Sequence, residues 1–127
     1  MITCKKQQNV YLCATLNSME LDFKKLDGLI PAVIQNDHDK TVLMVGFMNE
    51  DAYKKTQESG YVYFWSRTRQ SLWMKGETSG NRLKVISLTT DCDNDTLLAI
   101  VKIEGDGVCC HTGSKSCFFR QMEFSDL

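Results

Sequence analysis

No stretch of this sequence approaches the ~18 consecutive apolar residues that a bilayer-spanning helix needs, so helical membrane insertion is not expected. Residues 1–8, MITCKKQQ, lack the apolar core of a secretory signal, which points to a cytoplasmic protein. A basic excess is missing as well. Lys and Arg number 15 against 16 Asp and Glu, for a net charge of −1, whereas a dedicated nucleic-acid domain is usually strongly basic. There is no internal repeat and no low-complexity tract. The G-x-x-x-x-G-K-[ST] phosphate loop is absent. The one proline, Pro31, lies far from any cysteine, and the H-x-E and P-C-x-x-C signature of zinc nucleobase deaminases is not found.

What remains is an ordinary globular composition, 43% apolar and 24% charged. A chain of 127 residues fits one domain and buries about two-thirds of its unfolded surface, enough for a core without disulfides. Its six cysteines are therefore expected to be reduced, metal-bound or inert. Residues 1–20 read as a lead-in to a domain over residues 21–127. Residues 29–35 and 41–48 are apolar strands around the polar turn Asn36-Asp37-His38-Asp39-Lys40, a β-hairpin, with Pro31 near the first strand's start or at an edge. Asn49 is an N-cap with Glu50 and Asp51 in the first turn, and Gly60 is the stop of a helix over residues 49–59. Strands are expected over residues 61–66, 82–90 and 96–103, and a closing strand over residues 116–120. The fold class is α+β, predominantly β: one compact domain with mixed or antiparallel strands and one main helix.

Three segments carry chemistry. In the first, Asp91, Asp93 and Asp95 alternate with Cys92 and Asn94. Were the segment extended, the three carboxylates would share a face opposite Cys92. Such a face calls for a hard cation such as Mg²⁺; the alternative is a solvated acidic loop. In the second, Cys110, His111 and Cys117 combine with Cys92 in spacings C-x17-C and C-x6-C, not the C-x2-C pairs of a structural finger. Three thiolates with an open fourth position describe catalytic zinc, whereas buried cysteines also serve as small hydrophobes. His111 is a fourth ligand, an acid–base group or a polar turn residue. The third segment, residues 65–80, mixes Trp65, Arg67, Arg69, Trp73, Lys75, Thr78 and Ser79. Its cations and hydroxyls could hold phosphates and its indoles could stack on a base; an exposed polar loop is the competing reading.

Taken in order, Trp65-Ser66-Arg67-Thr68-Arg69, Trp73-Met74-Lys75-Gly76-Glu77-Thr78-Ser79-Gly80, Asp91-Cys92-Asp93-Asn94-Asp95 and Cys110-His111-Thr112-Gly113-Ser114-Lys115-Ser116-Cys117-Phe118 closely resemble the phosphoribosyl-AMP cyclohydrolase family of histidine biosynthesis. Leu29-Ile30-Pro31-Ala32-Val33 and the Met48-Asn49 helix start are also similar, so the resemblance runs from about Leu21 to Arg120. It implies an intertwined homodimer and a small nucleotide substrate. Water adds at C6 of the purine of N1-(5-phosphoribosyl)-AMP and the N1–C6 bond opens, the third step of the pathway. It implies zinc on Cys92, Cys110 and Cys117, shared between subunits, and magnesium on Asp91, Asp93 and Asp95. His111 then becomes the expected acid–base residue. Arg67, Arg69 and Lys75 become the expected phosphate contacts, with Trp65, Trp73, Thr78 and Ser79 around them. Cys109 is an extra thiol beside Cys110, and the first twenty residues, with Cys4 and Cys13, lie outside the resemblance. Some relatives carry a fused pyrophosphohydrolase; with its end at Leu127 this chain is expected to be monofunctional.

Overall fold

The computed structural model describes residues 20–125; Cys4, Cys13 and all of the expected lead-in except Glu20 lie outside the described residues. Six strands and one helix follow in the order β1 (Ile30–Asn36), β2 (Val42–Met48), α1 (Glu50–Ser59), β3 (Tyr63–Ser66), β4 (Ser71–Met74), β5 (Leu83–Thr90) and β6 (Leu97–Ile103). A four-stranded sheet runs β2-β1-β6-β5, and β3 and β4 form a separate hairpin. The mainly β, α+β class expected from the sequence is the one observed. None of the helices among the described residues is long and apolar enough to cross a membrane.

β1 is central because it is apolar on one face at alternate positions: Ile30, Ala32 and Ile34 are fully buried. It pairs antiparallel with β2, Ile30 opposite Met48, and parallel with β6, Ala32 opposite Leu97. Pro31 precedes the first residue of the β6 ladder, a position where a missing N–H is tolerated. The β1–β2 turn closes with the Asn36 N–H donating to the Thr41 carbonyl at 2.8 Å, and the Asp39 carboxylate accepts from Asn36 Nδ2 at 2.8 Å and from the Thr41 N–H at 3.0 Å. β5 lies antiparallel to β6 and slips register between Val85 and Ser87, which turns Ile86 out to solvent.

The helix has the ends expected for it. Asn49 Oδ1 accepts from the Ala52 N–H at 2.9 Å, and Gly60, at φ +80°, donates its N–H to the Thr56 carbonyl at 3.0 Å. Thr56 is buried in mid-helix because its hydroxyl bridges two elements. It donates to the Ala52 carbonyl at 2.8 Å and accepts from the Tyr63 N–H at 3.0 Å, pinning α1 to β3.

Two expectations change. β4 lies inside what reads as a polar loop. Its Trp73 sits opposite Phe64 with ring centroids 5.3 Å apart, and this cross-strand aromatic pair makes the hairpin. The expected closing strand over residues 116–120 does not form. Residues 109–117 make a tight loop, with Cys109 N–H on the Lys115 carbonyl and Cys110 N–H on the Ser114 carbonyl, both at 3.0 Å. The loop is anchored to β2 by Ser116 Oγ on the Val42 carbonyl at 2.7 Å and by Cys117 N–H on the Leu43 carbonyl at 2.8 Å. Two anchors next to each other are too few for a ladder, and Phe118 and Phe119 are left exposed.

Gly46 in β2 is where hairpin and sheet meet. A Cβ there would stand 2.5 Å from Phe64 Cδ1 and Cε1, and Phe64 is 1% exposed, so the ring has nowhere to go. Gly46→Ala is expected to lower stability by ~1–3 kcal/mol through overpacking, read as a lower midpoint in chemical denaturation. An unchanged midpoint would show that the ring can shift freely.

Candidate functional site

The acidic segment is a turn, not an extended strand. Asp91 Oδ1 accepts the N–H groups of Asp95 at 3.1 Å and Thr96 at 3.2 Å, and Asn94 adopts φ +61° to reverse the chain. This Asp-capped turn corrects the extended geometry considered above, yet it draws the carboxylates together by another route. One oxygen from each of Asp91, Asp93 and Asp95 lies within 4.8 Å of the others. Like charges this close need a counter-charge. Lys25 supplies one, its Nζ standing 3.1 Å from both Asp93 Oδ2 and Asp95 Oδ2. The ammonium holds Asp93 below the usual carboxylate range, and the two carboxylates push Lys25 above the usual range for lysine. Nothing local marks Lys25 in the sequence: its partners are 68 and 70 positions away. Cys92 is exposed on the same turn.

The thiols of the 109–117 loop differ from one another. Cys109 is 3% exposed and belongs to the apolar core; burial pushes its thiol up to about 12. Cys110 accepts a hydrogen bond from Thr112 Oγ1 at 3.1 Å, which holds it below the ordinary thiol value. Burial pushes Cys117 up, with Cys110 against it. The positive charge of Lys75, at the end of β4, favours the thiolate at all three. The structure thus brings Cys110, Cys117 and Lys75 together. It does not bring the sulfur of Cys92 into one ligand group with Cys110 and Cys117; the acidic turn is the one group of three metal-type donors among the described residues. His111 is exposed, and its ring makes no hydrogen bond among the described residues.

The third segment divides. Trp73 is spent largely on Phe64, while the Arg67 guanidinium lies 4.1 Å over the Phe47 ring. Trp65, Arg67 and Thr68 line a shallow hollow of ≈ 330 Å³ with Phe47, Phe64 and Trp73. Arg69, Thr78 and Ser79 are exposed. Lys75 leads into a tight turn in which Gly80 N–H donates to the Gly76 carbonyl at 2.8 Å. At Gly76, φ +83°, a Cβ would strike the Asn81 carbonyl at 2.3 Å. A second, larger cavity of ≈ 990 Å³ opens beside the acidic turn, between Leu21, Phe23, Tyr53, Lys54, Leu88 and Asp91.

A small α+β domain with a converging oxygen donor set, two neighbouring thiols and a cationic aromatic hollow has the parts of a small-ligand enzyme. Comparison with known proteins makes this specific. The sequence model of the phosphoribosyl-AMP cyclohydrolase family matches residues 44–119. Phosphoribosyl-AMP cyclohydrolase of Solibacter usitatus is 54% identical over 105 residues, covering 83% of this chain and 82% of that protein. Its counterpart in Streptococcus gordonii is 50% identical over 104 residues, covering 82% and 90%. A histidine biosynthesis bifunctional protein of Bacteroides thetaiotaomicron is 53% identical over 105 residues, 83% of this chain but 51% of that protein. The chain belongs to the phosphoribosyl-AMP cyclohydrolase family.

Cys109 is the one described thiol whose ionisation burial opposes so strongly. Its folded value lies above the ordinary 9.0, so the fold holds that proton more tightly than the unfolded chain does. The associated stability is intact below pH 9.0 and declines as pH rises toward about 12. Cys109→Ala is expected to flatten the alkaline loss of stability seen in urea titrations of the parent. Equal alkaline slopes in the two proteins would show that Cys109 ionises freely in the fold.

Proposed function

We propose that this hydrolase opens the adenine ring of N1-(5-phosphoribosyl)-AMP between N1 and C6, with zinc and magnesium bound, as a homodimer. The observation that carries the reading is the family match across residues 44–119, which spans both donor sets and the cationic segment. Relatives named for this activity and for histidine biosynthesis support the same substrate and pathway step.

The residues present fit both metals. For a hard cation, three converging carboxylates already hold a stand-in charge, the Lys25 ammonium. For zinc, Cys110 and Cys117 lie against each other beside the cationic Lys75, and Cys110 is biased toward thiolate. Their third ligand is Cys92 in this reading. Cys92 does not join them within one chain, which fits a ligand supplied by a second copy. The exposed Phe118, Phe119, Met122 and Phe124 after the thiol loop supply apolar surface for that association.

When bound, zinc lowers the pKa of water so that it can act as a nucleophile near neutral pH. The chain's own groups do the rest. Arg67, Arg69 and Lys75 hold the substrate phosphates, with Thr78 and Ser79 as further donors. Trp65, which lines the hollow, offers a face for the base. Water adds to C6, and the electron pair of the breaking N1–C6 bond stays on N1. His111, exposed and free of internal hydrogen bonds among the described residues, moves the proton to that leaving nitrogen.

Two measurements test this. Ring opening followed by ultraviolet absorbance should disappear on zinc removal and return on its addition, and His111→Ala should abolish turnover while zinc content stays normal. Loss of zinc in that variant would make His111 a ligand instead. Inactive Cys92→Ala and inactive Cys110→Ala chains, mixed and allowed to re-associate, should regain about a quarter of the parent activity, because one of the two sites in each mixed dimer is intact. No recovery would place each zinc site within a single chain.

A further inference from the structure

We propose that Lys25 is a tethered cation that occupies the acidic turn until a divalent ion displaces it, so that this chain sets its own divalent affinity. This rests on the reading of Asp91, Asp93 and Asp95 as a hard-cation site. The geometry is competitive. Lys25 Nζ stands 3.1 Å from Asp93 Oδ2 and 3.1 Å from Asp95 Oδ2, oxygens of the very carboxylates that would coordinate the ion. A magnesium-sized ion binds oxygens at ~2.0–2.1 Å in a demanding octahedron, which leaves no room for an ammonium on the same side chains. Two cations at that separation also repel.

The tether is held by the fold. Lys25 lies in the turn between Phe23 and Gly28, closed by the Gly28 N–H on the Phe23 carbonyl at 2.7 Å. Asp22 fixes its entry, donating its N–H to the Asn94 carbonyl at 2.6 Å and accepting the Lys24 N–H on Oδ1 at 2.9 Å. Phe23 packs on the core and against Tyr53, ring centroids 6.4 Å apart. The ammonium is thus delivered to the acidic turn by a docked segment rather than by a chance surface conformer. One ammonium among three carboxylates still leaves a net negative turn, so a dication is attracted and the lysine is displaceable. The Lys25 side chain is 49% exposed, so solvent lies within its reach when it is displaced.

The test is Mn²⁺ binding to the zinc-loaded full chain, read from the electron paramagnetic resonance of the free ion. Lys25→Met is expected to bind Mn²⁺ roughly three- to tenfold more tightly than the parent, the scale of two exposed ion pairs, with the gap closing at high salt. Lys25→Arg should stay near the parent, since it restores a tethered cation. Asp93→Asn should weaken binding in both backgrounds. If Asp93→Asn weakens binding but Lys25→Met matches or falls below the parent, the competition is overturned while the cation site stands. If Mn²⁺ binding is indifferent to Asp93→Asn, the cation site itself falls, and the proposal with it. Unchanged denaturation midpoints for the variants keep loss of fold out of the comparison.

Discussion

The parallel pairing of β1 with β6 is the constraint on which the rest of the structure depends. Parallel strands start at the same end of a sheet, and the register here sets Ala32 beside Leu97. Whatever precedes β1 is thereby placed beside whatever precedes β6. Lys25 lies just before the first strand, and Asp91, Asp93 and Asp95 lie just before the second. The meeting of an ammonium with two of these carboxylates some seventy positions away follows from that single register. Asp22 on Asn94 adds a backbone bond at the same corner. β2 and β5 complete the sheet as antiparallel edges, and β2 receives the thiol loop through Ser116 and Cys117.

Burial and charge then divide the cysteines by role. Cys109 is drawn into the core and held as a neutral thiol despite its place beside Cys110. Cys110, one residue on, has a hydroxyl donor from Thr112 and the Lys75 charge, both of which favour the thiolate. The Thr112 hydrogen bond at Cys110 and the deep burial of Cys109 give two adjacent thiols opposite shifts. Lys75 reaches this loop because the β3–β4 hairpin ends next to it, so the segment that carries the cations and the segment that carries the sulfurs meet through Phe64, Trp73 and Gly46 rather than through chain proximity.

The chain places Cys110 and Cys117 in one loop and Cys92 on the acidic turn. Under the proposed zinc assignment, catalytic competence would depend on association, because neither half has enough ligands alone. The apolar residues after Cys117 fit the same logic: exposed aromatic side chains are costly on an isolated surface and useful in a contact.

Local physics was legible from the sequence alone. The Asn49 and Gly60 caps and the β1–β2 hairpin around Asn36 to Lys40 depend on neighbours within a few positions, and all stand where they were expected. The candidate donors were visible too, since Cys92, Cys110, Cys117 and the aspartate triplet stand out by composition and order. What depended on distant partners was not. β4 needs Phe64 across the hairpin to be a strand, and residues 116–120, strand-like in composition, find only two neighbouring anchors on β2. The acidic triplet converges through an Asp91-capped turn, not through strand alternation. Lys25 is one charge among many in the sequence and the cation that pairs with Asp93 and Asp95 in the fold. The sequence by itself determined the caps, the turns and the inventory of reactive groups, because those obey short-range sterics and hydrogen bonding. Only the tertiary structure decided which groups meet, because a β-sheet joins its strands by register across long intervals of chain, and no local pattern records that register.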